Sequence, residues 1–120
     1  MDPSADPAPP GGPPLSVSCV PGSPSVVTVS GEADLDGTGL LLGAVDRALD
    51  HHPHLVFDLA GVTFADSTFL TVLLQTRQTA ASKGGSVRLL APSASVHRLL
   101  SLTGALGLFP VISAGQLKHP

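Results

Sequence analysis

Three short stretches of this chain carry chemically competent side chains: Asp66-Ser67-Thr68, His51-His52-Pro53-His54 and the single thiol Cys19. In the first, three consecutive side chains can each accept a bond from the free N–H groups that open a helix, which is the ordinary reason for such residues to stand together. The same triplet also offers a hydroxyl for phosphorylation. A phosphate at a helix start is met by unpaired N–H donors and the positive end of the dipole, so the helix should survive while about −1.5 to −2 charges appear beside Asp66. A serine nucleophile, by contrast, needs a base: none stands in the loop, and the nearest histidine, His54, opens the preceding predicted strand. In the histidine cluster, adjacent His residues at a helix end point to different sides and Pro53 redirects the chain. Only Asp50 adds a further ligand type nearby, so a dipole role at the helix C-terminus is expected and no metal site. His97 is a lone helical histidine with the same reading. One cysteine makes neither an internal disulfide nor a Cys-based metal site.

The sequence has no GxxxxGK[ST] phosphate loop, no GxGxxG, no GxSxG elbow and no HExxH, so neither an enzyme nor a bound cofactor is expected. At 120 residues and 42% apolar content the chain is one domain's length with a core of Leu, Val and Ala, there being no Trp, no Tyr and four Phe. The net charge of −3 is of the wrong sign for a nucleic-acid footprint. All nine acids lie in residues 1–66 with one base, Arg47 (net −8), whereas residues 67–120 hold five bases and no acid (net +5). The last acid is Asp66. The start MDPSADPAPPGGPP lacks the basic and apolar regions of a secretory signal. The longest uncharged apolar stretch, Leu99 to Ile112, is broken by Gly104, Gly107 and Pro110 and falls short of the ~20 residues of a membrane span. A cytoplasmic protein that engages neither membrane nor nucleic acid is expected.

Six of the twelve prolines fall in residues 1–14, predicting a disordered or extended tail. From Leu15, alternation through Val17 and Cys19, a turn at Pro21-Gly22 and the run Val26 to Val29 predict a hairpin ended by Gly31 to Asp34. A helix over Asp36 to His51 follows, capped by Asp36 or Thr38 and burying Leu41, Ala44, Val45, Ala48 and Leu49, with Gly37, Gly39 and Gly43 weakening its start. His54 to Leu59 is a buried strand by length. Asp66 opens a second helix to about Ser82, with Leu70, Leu73, Leu74 and Ala81 as its buried face and Lys83-Gly84-Gly85 as its stop. A strand at Ser86 to Leu90, a helix at Ser93 to Thr103 (Val96, Leu99 and Leu100 inward, closed by Gly104) and a strand at Phe109 to Ile112 complete the order. The fold class is α/β: a mixed sheet opened by a hairpin, with helices packed on one face and right-handed crossovers. The loop at residues 66–68 then lies at the carboxyl end of a strand, where open α/β sheets present their sites.

The blocks Val29-Ser30-Gly31-Glu32-Ala33-Asp34, Leu55 to Thr68 (LVFDLAGVTFADST), Gly84 to Leu89 and Leu100 to Gly104 with Leu108 to Val111 occur in one order and spacing that resembles the STAS domain of bacterial anti-sigma factor antagonists. The resemblance covers about residues 15–113, leaving 1–14 and 114–120 as tails and little chain for that family's usual fourth helix. It implies the same fold, and a protein that is substrate and ligand but not catalyst. In that family the hydroxyl after the Asp is phosphorylated by a partner that is both anti-sigma factor and serine kinase, and the resemblance implies Ser67 for that role here, with Thr68 as fallback. The unmodified antagonist binds that partner and releases sigma, phosphorylation abolishes binding, and a PP2C-type serine phosphatase restores it. The implied partner surface comprises Glu32, Asp34, Asp66, Ser67, Thr68 and Phe69, and self-association at most a weak homodimer. Phe69 and Thr71 stand where the family usually has Gly. Either Phe69 packs inward or the partner surface differs, and Phe69 is the feature that favours an alternative: a scaffold that keeps the fold without phosphorylation, serving in a larger signalling assembly or holding its partner constitutively.

Overall fold

The computed structural model describes residues 14–33, 37–113 and 115. The expected tails therefore lie outside the described residues, apart from Pro14 and Gly115. β1 (Ser16–Val20) and β2 (Ser25–Ala33) form the antiparallel hairpin, with Ser16 opposite Ser30 and Val20 opposite Val26. After it, helices and strands alternate: α1 (Thr38–His51), β3 (His54–Ala65), α2 (Ser67–Ser82), β4 (Ser86–Leu90), α3 (Ala94–Thr103), a 3-10 turn at Leu106–Leu108 and β5 (Val111–Ile112). The sheet order is β1-β2-β3-β4-β5, with β2 to β5 mutually parallel. Successive crossovers between neighbouring strands, all in one direction, put the helices on one face. The burial pattern agrees. Val27 and Val29 of β2, Leu55, Phe57 and Leu59 of β3, and Val87 and Leu89 of β4 alternate into one core with the helices; their sequence neighbours face the other way.

β3 is twice the predicted length, and the reason is a loss of alternation. Its register against β2 slips twice, between Thr28 and Ser30 and between Gly31 and Glu32. Each slip inserts one extra residue in β3. The inward positions then run 55, 57, 59, 62 and 65 in place of strict alternation, keeping Val62 opposite Gly31 and Ala65 opposite Ala33. A pattern broken in this way reads as a strand that stops at Leu59.

α1 begins at Thr38, two residues later than expected, and its N-cap Gly37 offers no side-chain bond. The helix rests on its buried face, Leu41, Ala44, Val45, Ala48 and Leu49, as expected. α3 is capped by the Ser93 hydroxyl, which accepts from Val96 N, and is closed by Gly104 at φ 76°, a conformation that L side chains resist. The histidines are tied structurally. His52 Nε2 and Ser23 Oγ lie 2.8 Å apart, His54 N donates to His52 Nδ1 at 3.1 Å, and His54 Nδ1 pairs with Ser86 Oγ at 2.9 Å. Among the described residues no three His, Cys, Asp or Glu side chains group as metal ligands, and no helix is long and apolar enough to cross a membrane.

Where α2 hands over to β4, the backbone passes close to Pro53. A Cβ on Gly85 would lie 1.8 Å from the Pro53 carbonyl oxygen, which also accepts from Ser86 N. Gly85→Ala is therefore expected to destabilise by about 1–3 kcal/mol, the usual cost of overpacking, read as a lower midpoint in urea with the slope unchanged.

Candidate functional site

The second slip in β3 delivers Ala65 to the end of the sheet beside Ala33, and the chain turns there into α2. Asp66 is the N-cap, in extended conformation (φ −118°, ψ −173°). Its Oδ1 accepts from Thr68 N at 3.0 Å and Phe69 N at 3.3 Å, and its carbonyl accepts from Leu70 N at 3.1 Å. A single residue thus holds three consecutive N–H groups. This narrows the expectation that a phosphate here would find unpaired donors: the carboxylate holds two of them, and of the first N–H groups of the helix that of Ser67 itself makes no hydrogen bond among the described residues.

Ser67 is the first helical residue and exposed. Its carbonyl accepts from Thr71 Oγ1 at 2.9 Å, while its own hydroxyl makes no hydrogen bond among the described residues. Thr68 is half-buried. Phe69 is 2% exposed and belongs to the core. It is not on the surface as a partner residue; of the two alternatives left by the sequence, it packs inward. The buried face of α2 is Phe69, Val72, Leu73, Thr76 and Ala80. The expected set of Leu70, Leu73, Leu74 and Ala81 is thereby corrected: Leu70 is half-buried, and Leu74 and Ala81 are exposed.

Glu32 sits opposite Phe64 across β2 and β3, two residues before Asp66, so topology brings Glu32, Asp66 and Ser67 to one end of the sheet. Asp34 lies outside the described residues. Sequence reasoning missed α3 here. Ser95 Oγ donates to Thr63 O at 2.8 Å and Ser93 N to Leu59 O at 3.2 Å, docking the start of α3 on the end of β3. Between them runs a groove of ≈ 260 Å³ lined by Phe64, Ala65, Ser95, Arg98, Leu99 and Leu102. A cation, Arg98, therefore stands alongside the acidic end, where the sequence order showed no base between Asp66 and Arg77. The signal for it was 32 residues away along the chain and had no local pattern to announce it.

A family model described as "Mlab, STAS domain" matches residues 20–110. The chain belongs to the STAS domain family. Among curated relatives it is 30% identical over 88 residues to an anti-sigma F factor antagonist of Paenibacillus polymyxa, spanning 72% of this chain and 75% of that one. Among solved structures, an anti-sigma factor antagonist from Mycobacterium paratuberculosis is 30% identical with TM-score 0.72, covering 82% of this chain and 85% of the other. The anti-sigma factor antagonist SpoIIAA shares the fold in its unphosphorylated form (TM-score 0.72, 16% identity, 88% and 93% covered) and in its phosphorylated form (TM-score 0.67, 15% identity, 88% and 96% covered). The expected STAS-like α/β fold is thus confirmed.

The cap and the buried ring make separable predictions for stability. Asp66→Ala should cost about 1 kcal/mol, and Asp66→Asn should retain most of it. In the same denaturation series, Phe69→Ala should cost roughly 3–5 kcal/mol, whereas Ser67→Ala, which removes an exposed hydroxyl, should stay within about ±0.5 kcal/mol.

Proposed function

We propose that this STAS protein is an anti-sigma factor antagonist whose partner is an anti-sigma factor that is also a serine kinase, and that phosphorylation of Ser67 switches it off. The observation that carries the proposal is the setting of Ser67: an exposed, uncommitted hydroxyl on the first residue of α2, directly after the capping Asp66 and at the same sheet end as Glu32. The names of the curated and solved relatives support the antagonist role, and the two solved forms of SpoIIAA support a phosphorylation step in this fold. The role is one of binding. Nucleotide and transfer chemistry belong to the partner, and removal of the phosphate to a separate serine phosphatase of the PP2C type.

The switch follows from electrostatics. With the N–H groups of Thr68 and Phe69 already held by Asp66, a phosphate on Ser67 stays at the surface and sets about −1.5 to −2 charges against that carboxylate. Covering that concentrated charge with a partner strips its water, which costs several kcal/mol unless the partner supplies matching cations. Glu32, Asp34, Asp66, Ser67 and Thr68 are the contact residues on this reading. The alternative scaffold reading drew on Phe69, whose ring packs into the core and does not crowd the surface at Ser67.

Incubation with a binding anti-sigma factor kinase and ATP should add one phosphate by intact mass. The gain should vanish in Ser67→Ala and persist in Thr68→Ala; a gain retained in Ser67→Ala would refute the site.

A further inference from the structure

The groove between β3 and α3 is apolar on most of its walls and carries one cation. Of the four Phe residues, Phe57, Phe69 and Phe109 are at most 2% exposed, whereas Phe64 is 48% exposed and lines this groove; with no Trp or Tyr it is the one exposed benzyl-type ring. Leu102, on the opposite wall, is 74% exposed. Arg98 makes no hydrogen bond or ion pair among the described residues. Such a groove fits an extended apolar ligand with a negative charge at one end.

The composition of this chain's own first residues matches that description. Residues 1–13 hold two acids, Asp2 and Asp6, and no base. Pro7, Pro10 and Pro13 recur every third residue, which in a polyproline II helix of three residues per turn places them on one ridge. Ridges of this kind dock on aromatic-lined grooves because little ordering entropy is lost. The topology supplies the reach. Ser16 lies opposite Ser30, which lies opposite Gly61, three residues before Phe64. Two strand spacings across and three residues along is roughly 14 Å, against about 40 Å for thirteen residues of polyproline II. A short tether also gives an effective concentration of about millimolar, so a weak contact is populated.

We propose that the β3–α3 groove binds this chain's own N-terminal segment, with the Pro7-Pro10-Pro13 ridge against Phe64 and Leu102 and Asp6 facing Arg98. The contact does not depend on phosphorylation of Ser67 or on the identity of any partner. It places an acidic strap beside Ala65, next to the Asp66-Ser67 step.

Paramagnetic relaxation in the full chain tests this, with a nitroxide on Ser4→Cys in a Cys19→Ser background. The amide peaks of Phe64, Ser95, Arg98 and Leu102 should lose intensity, and the loss should disappear when Pro7, Pro10 and Pro13 are replaced by Gly. Asp6→Lys and Arg98→Asp should each diminish it, and the two together should restore it. Broadening that is absent from these residues, spread evenly over the surface or insensitive to the proline replacements would overturn the proposal. So would broadening carried from a labelled chain to a second, isotope-enriched chain in a mixed sample, since the segment would then be docking between copies.

Discussion

The start of α2 depends on one carboxylate. By accepting from both Thr68 and Phe69, Asp66 fixes the first turn of the helix, and its own carbonyl closes the turn on Leu70. Once that turn is fixed, the rotation of the helix is fixed too: Phe69, Val72, Leu73, Thr76 and Ala80 face the sheet and Ser67 faces outward. The exposure of the hydroxyl and the burial of the ring two residues later are therefore a single consequence of the cap. The cap also bears on added charge, because a group attached to Ser67 finds the N–H groups of Thr68 and Phe69 taken.

The second constraint is the irregular pairing of β2 with β3. Two inserted residues in β3 keep Val62 and Ala65 directed into the core while carrying the chain to the sheet end beside Glu32. The uneven distribution of acids and bases along the sequence has little meaning in the folded molecule. Asp46 and Asp50 lie on an exposed face of α1, and strands from both halves share one sheet. What persists is local, Glu32 and Asp66 at one end, with Arg98 brought alongside Ala65 by the docking of α3.

Much of the fold was legible because its signals are short-range. The hairpin, the Asp66 cap, the Ser93 to Gly104 helix and the strand at Ser86 to Leu90 all announce themselves through alternation or capping residues. The buried face of α2 was misread by one residue, each expected position standing one after its true counterpart except where Thr76 intervenes. The helix is apolar on two adjacent stripes, and Thr76 disguises the true one. Its hydroxyl donates to Val72 O at 2.7 Å, which lets a polar residue occupy the core. The length of β3 was hidden by its bulges, and the approach of α3 to the site by its distance along the chain. The Asp66-Ser67 step itself was fully visible, whereas the ring of Phe69 could be placed only once the helix rotation was known.

The central claim is that a charge on Ser67, and not a change in fold, controls partner binding. Isothermal titration of the anti-sigma factor with the unmodified and the Ser67-phosphorylated protein measures this most directly, with far-ultraviolet circular dichroism recorded on both forms. The account predicts matching spectra and an affinity lower by up to about 10⁴-fold in the phosphorylated form, the factor that carries a two-state equilibrium from one extreme to the other. Equal affinities for the two forms, or an affinity lost together with the helical signal, would contradict it.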